Sequence, residues 1–215
     1  MAKKIKISKK EALKQPDEFI TTTTKFLKYI KENESRFIVF VIIIFMLVLG
    51  VSFGVYYVKK VNVAGFAQLS KALDEPDVTK KKKLLQDVKN TKFTDAKHYA
   101  AFFLAKIYKD EGNTESAKKE LKDAENIKDV YLKGSARLLM ADIMVKENKL
   151  DEAMKYLKEA PTDLPSFLKD ELKLKEAFIL EKKNSFAEAA KIYNEIEKSN
   201  PDFYLIKLVQ SKSAM

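Results

Sequence analysis

Residues 99–124 read "YAAFFLAKIYKDEGNTESAKKELKDA", and the pattern returns twice. It reappears as "SARLLMADIMVKENKLDEAMKYLKEA" at 135–160 and as "ELKLKEAFILEKKNSFAEAAKIYNEI" at 171–196, a period of 36 residues both times. Ala105, Ala141 and Ala177 align; so do Ala117, Ala153 and Ala189, then Leu121, Leu157 and Tyr193. In each copy an apolar face of helical period, such as Leu104, Ile107 and Tyr108, is broken by a turn at Gly112-Asn113, Asn148-Lys149 or Asn184-Ser185. A second amphipathic helix follows. The alanines let the two helices of a pair approach closely, and Pro165 and Pro201 end their second helices.

These positions resemble the tetratricopeptide repeat, in which small, aromatic, alanine, large apolar and proline residues recur at set offsets. Leu104-Ala105, Tyr108, Ala117, Leu121 and Ala124 carry the likeness in the first copy. Met140-Ala141, Met144, Ala153, Leu157, Ala160 and Pro165 carry it in the second, and Ala177, Leu180, Ala189, Tyr193 and Pro201 in the third. Three departures stand out: no Trp is present, Ala replaces the usual Gly, and the period exceeds the usual value of about 34. The resemblance implies an all-α solenoid of three to four helix pairs, with repeats near 98–129, 134–165 and 170–201.

Outward from the repeats, residues 61–93 read as a degenerate first copy, with a break at Asp74–Asp77 around Pro76. In strict register its second-helix alanine falls on Lys81, so a register shift is expected there. Residues 202–210, "DFYLIKLVQ", suit a closing helix over the last apolar face.

Further upstream, Phe37–Val58 reads "FIVFVIIIFMLVLGVSFGVYYV", 22 residues without a charge. A helix of that length covers about 33 Å, against a hydrocarbon core of about 30 Å. Tyr56 and Tyr57 sit where an interfacial aromatic belt would lie. A cleavable signal peptide fits poorly, because 36 residues precede the run and no small-x-small site follows it. Ten Lys/Arg precede the span, and only Lys59, Lys60 and Lys71 follow it closely. The bias predicts a single-pass membrane protein with residues 1–36 cytoplasmic and residues 59–215 exported; in a bacterium that means an inner-membrane protein with a periplasmic domain. Gly50 and Gly54 form a G-x-x-x-G step. Glycine is common in membrane helices, and the spacing also suits close packing with a second copy or a partner helix.

Before the span lies "KQPDEFITTTTKFLKYIKEN", residues 14–33. Ser8-Lys9-Lys10-Glu11 has capping-box form, and Pro16 suits the first turn of a helix with Asp17 and Glu18 at its positive end. Phe19, Thr23, Phe26, Leu27 and Ile30 share one face of that helix, with Lys25, Lys28 and Lys31 off it.

Composition removes several functions. The net charge is +10, yet residues 61–215 hold 29 Lys/Arg against 26 Asp/Glu, too even for a phosphate-binding stripe. The absence of cysteine excludes disulfides and thiolate chemistry. His98, the only histidine, has no nucleophile or orienting motif beside it, and the five glycines form no phosphate loop. No enzyme, cofactor, metal site or nucleic-acid ligand is expected.

A repeat array of this kind offers a groove along its first helices. The residues expected to face it are Tyr99, Phe102, Lys106, Ser135, Leu138, Asp142, Leu174 and Phe178. Each could equally pack between helices; together they would suit a helix or an extended segment of a protein partner. The paired Asn and Lys set with which some tetratricopeptide domains clamp a C-terminal carboxylate is not found.

The tail "ISKKEALKQPDEFITTTTKFLKYIKEN", the single span and the repeats together resemble the YfgM-type ancillary subunits of the SecYEG translocon. That resemblance implies a protein beside the export channel whose periplasmic repeats meet chaperones, including a membrane-anchored prolyl isomerase. The alternative expectation is a membrane-tethered scaffold for envelope assembly or cell division, using the same groove.

Overall fold

The computed structural model describes residues 18–202 and 204–213, and every regular element among them is helical. The expected capping box at Ser8–Glu11 and the first-turn role of Pro16 lie outside the described residues. The chain divides into two compact units, Met1–Tyr57 and Val58–Met215.

In the first unit, helix α1 spans Glu18–Glu32 and α2 begins at Glu34. Phe26, Leu27 and Tyr29 of α1 are exposed, and Lys28 approaches Glu32 at 3.9 Å, one turn away. Asn33 marks the junction: its backbone N–H and its side-chain amide both donate to Tyr29 O, at 3.0 and 3.1 Å. Helix α2 runs 41 residues to Asp74. Its N-terminal half is long and apolar enough to cross a membrane, and none of that apolar window is buried within the protein. It is a candidate span.

In the second unit, the last turns of α2 are followed by α3 (Val78–Asn90), α4 (Ala96–Asp110), α5 (Thr114–Asp123) and a 3-10 turn at Ala124–Asn126. Then come α6 (Val130–Lys146), α7 (Leu150–Lys158), α8 (Ser166–Lys182), α9 (Phe186–Ser199) and α10 (Ile206–Ser213). Sequence neighbours pack on one another, α4 on α3 and α5, α6 on α7, and α8 on α9, while α10 covers α9. The closing helix therefore starts four residues later than the expected 202, at Ile206.

The 36-residue period is written into the backbone. Helices α3, α5, α7 and α9 begin at Val78, Thr114, Leu150 and Phe186, each 36 after the last. Helices α2, α4, α6 and α8 end at Asp74, Asp110, Lys146 and Lys182, at the same interval. The turns between them place Gly112, Asn148 and Asn184 in the left-handed region, with φ of 76°, 60° and 63°. Glycine and asparagine are the residues that tolerate it best.

The register shift expected at Lys81 does not occur. Leu85 and Val88, 36 residues before Leu121 and Ala124, are fully buried in the equivalent places. Ala117, Ala153 and Ala189 are buried at the close-approach position, whereas Lys81 in α3 remains partly exposed. A long aliphatic stem can cover apolar surface there while its ammonium stays in water, so the helix keeps its phase.

Side-chain bridges repeat as well. Lys82 Nζ lies 2.7 Å from a Glu111 carboxylate oxygen, and Lys118 Nζ 2.7 Å from Glu147, one period later. At the following junction the signs reverse, with Lys183 Nζ 2.6 Å from Asp151. Beneath these bridges lie three apolar clusters, centred on Leu69–Leu104, on Ala101–Ile179 and on Leu174–Val209.

Candidate protein-binding cleft

Two local devices set the phases of α4 and α6. Before α4, the Thr94 hydroxyl donates to Asn62 Oδ1 at 3.1 Å and accepts from the Ala96 N–H at 3.1 Å; Asp95 N–H also donates to Asn62 Oδ1, at 2.7 Å. At α6, the Asp129 carboxylate caps the helix by accepting from Leu132 N–H at 2.8 Å. With both starts fixed, α4 presents Phe102, Phe103 and Lys106 toward Tyr131, Leu132, Ser135, Leu138, Leu139 and Asp142 of α6. Between them lies a cleft of about 390 Å³.

Five of the eight residues expected to face a groove meet here: Phe102, Lys106, Ser135, Leu138 and Asp142. Phe102 is only 4% exposed and forms part of the cleft's floor. Tyr99, Leu174 and Phe178 do not line the cleft. Tyr99 stands edge-on to Phe66, ring centroids 5.1 Å apart, and joins α4 to the last turns of α2. Leu174 is 4% exposed and belongs to the core under α9 and α10. Phe178 packs edge-on against Tyr193 at 6.3 Å.

Four lining residues were missing from the sequence reading: Phe103, Tyr131, Leu132 and Leu139. Tyr131 had a signal, because Phe167 follows it by one period. Both rings are exposed, and their centroids lie 5.9 Å apart, so an aromatic edge continues from the cleft onto α8.

The charges around the cleft are unequal. Lys175 Nζ lies 2.6 Å from Asp142 Oδ1, and Lys109 Nζ lies 3.9 Å from Oδ2. Lys106, exposed on α4, forms no ion pair with any described residue.

A second cavity, of about 400 Å³, is lined by Phe186, Ala187, Ala189, Ala190, Tyr193, Glu181 and Lys212. Burial, and then the nearby Glu181 charge, push the Tyr193 phenol well above its ordinary range. His98 Nδ1 lies 2.7 Å from Asp123 O and fastens the first turn of α4 to the end of α5. No group of three potential ligands for a metal ion occurs among the described residues. In α2, an added Cβ at Gly50 or Gly54 would meet nothing within 4 Å.

Helices that pair with their sequence neighbours at a fixed period, with an apolar and charged cleft between α4 and α6, define a helical-repeat interaction protein. The chain belongs to the tetratricopeptide repeat-like domain family, whose sequence profile matches residues 28–212. No curated protein and no solved structure matches the chain.

Proposed function

We propose that this chain is a non-enzymatic inner-membrane adaptor associated with the protein-export translocon. Its repeats form a short solenoid of three to four helix pairs on the periplasmic side, and the cleft between α4 and α6 holds a segment of a chaperone or an exported protein. The observation that carries the protein-binding part is the convergence of Phe102, Lys106, Ser135, Leu138 and Asp142 on one cleft. Membership of a repeat family whose domains serve as protein-interaction modules supports it. The translocon assignment rests on the tail "KQPDEFITTTTKFLKYIKEN" joined to one apolar helix and exported repeats. The charge excess before Phe37 supports the orientation, and the G-x-x-x-G spacing of Gly50 and Gly54 supports contact with a second copy or a partner helix.

Purification in mild detergent followed by mass spectrometry tests this reading. Translocon or chaperone components should co-purify, and Tyr131→Ala with Leu138→Ala should reduce the chaperone or client fraction while leaving helix content unchanged. Recovery of the protein with no export component would refute the translocon assignment.

A further inference from the structure

We infer that the cleft between α4 and α6 selects apolar protein segments that carry a carboxylate side chain; this rests on the protein-binding reading above. The walls are apolar, supplied by Phe103, Tyr131 and Leu138. The charges beside them are unequally satisfied. The charged residues that line the cleft are Lys106 and Asp142, and Asp142 is already met by two lysines that do not line it, Lys175 at 2.6 Å and Lys109 at 3.9 Å. The Asp142 charge is thus already met, whereas Lys106 has no ion-pair partner among the described residues.

A purely apolar occupant would cover Lys106 and strip water from its ammonium without replacing it. An Asp or Glu in the occupant restores a partner in a partly desolvated site, where attraction is less screened than on open surface. A basic segment meets repulsion from Lys106 and finds the Asp142 carboxylate already met by Lys175 and Lys109. The apolar walls offer a phosphate backbone no contact, which disfavours nucleic acid as the occupant.

The test uses the full chain in lipid nanodiscs and three fluorescein-labelled peptides of one Phe- and Leu-rich sequence. They differ at one central position, which is Glu, Gln or Lys. The Glu peptide should bind about tenfold more tightly than the Gln peptide at low salt, and the Lys peptide more weakly still. The preference should shrink as salt is raised. Lys106→Gln should bring the Glu and Gln peptides close together, and Lys106→Glu should favour the Lys peptide. Tyr131→Ala should weaken all three. Equal affinity of the wild-type protein for the three peptides overturns charge selection and leaves the cleft as a binding site. Failure of every peptide to bind overturns both readings.

Discussion

Gly65 shows how one side chain's absence sets a helix contact. A Cβ there would lie 2.9 Å from Thr94 Cβ and closer still to the Thr94 hydroxyl. Thr94 cannot retreat, because Asn62 and the Ala96 N–H hold its hydroxyl. Helix propensity alone would make Gly65→Ala stabilising by about 1 kcal/mol. The clash should reverse the sign and cost about 1–3 kcal/mol, measurable by denaturation followed by circular dichroism. Gly134→Ala should cost less, since the nearest atom is the Cδ2 end of a flexible leucine, Leu164, at 2.6 Å. Charge acts at the same scale. Hydrogen bonds from Lys118, then from Lys149, hold the Glu147 carboxyl below its ordinary value of 4.5. A depressed carboxyl stabilises the fold fully above 4.5 and loses that contribution as pH falls through its folded value. Lys118→Met should therefore lower the melting temperature at neutral pH and flatten its decline in acid. An unchanged acid slope would show that the bridge contributes nothing.

At the scale of elements, the helices were legible because a 3.6-residue apolar stripe and a turn recur every 36 residues. The cleft was only partly legible. Repeat offsets placed Leu174 and Phe178 beside Leu138 and Asp142, but α9 and α10 cover the Leu174 side of α8. Offsets describe a helix, whereas exposure depends on what lies over it. Tyr131 was missed for the opposite reason: it sits in the first turn of α6, before the aligned stretch begins at Ser135. That turn depends on its cap. Asp129→Ala should cost about 1 kcal/mol and loosen the turn that carries Tyr131 and Leu132. The expected result is a lower denaturation midpoint together with weaker peptide binding. The register at Lys81 was misread because the close-approach position was treated as requiring alanine, although Leu85 and Val88 already held the phase of α3.

For the second unit as a whole, stability is distributed along the chain. The first and second clusters share Tyr99, Phe103 and Tyr108 as partly buried neighbours, so they are coupled. The third, built on Leu174, Tyr193, Ile196 and Val209, shares no residue with the first. Nearest-neighbour coupling makes damage local. Tyr193→Ala should cost about 3–5 kcal/mol, by analogy with other large aromatic truncations in cores. Hydrogen exchange should then show lost protection over 174–209 and little change over 66–108. Uniform loss across both regions would show instead that the unit unfolds as one.

The common spacing of the helix starts at Thr114, Leu150 and Phe186 also governs how such a gene can change. A deletion or duplication of 36 codons within this stretch returns alanine to the close-approach position and a left-handed residue to the turn. A change that is not a whole multiple of 36 codons shifts the buried positions of the following copies out of phase with the turns before them. Variation in the array's length is therefore quantised, and its descendants should differ by whole repeats.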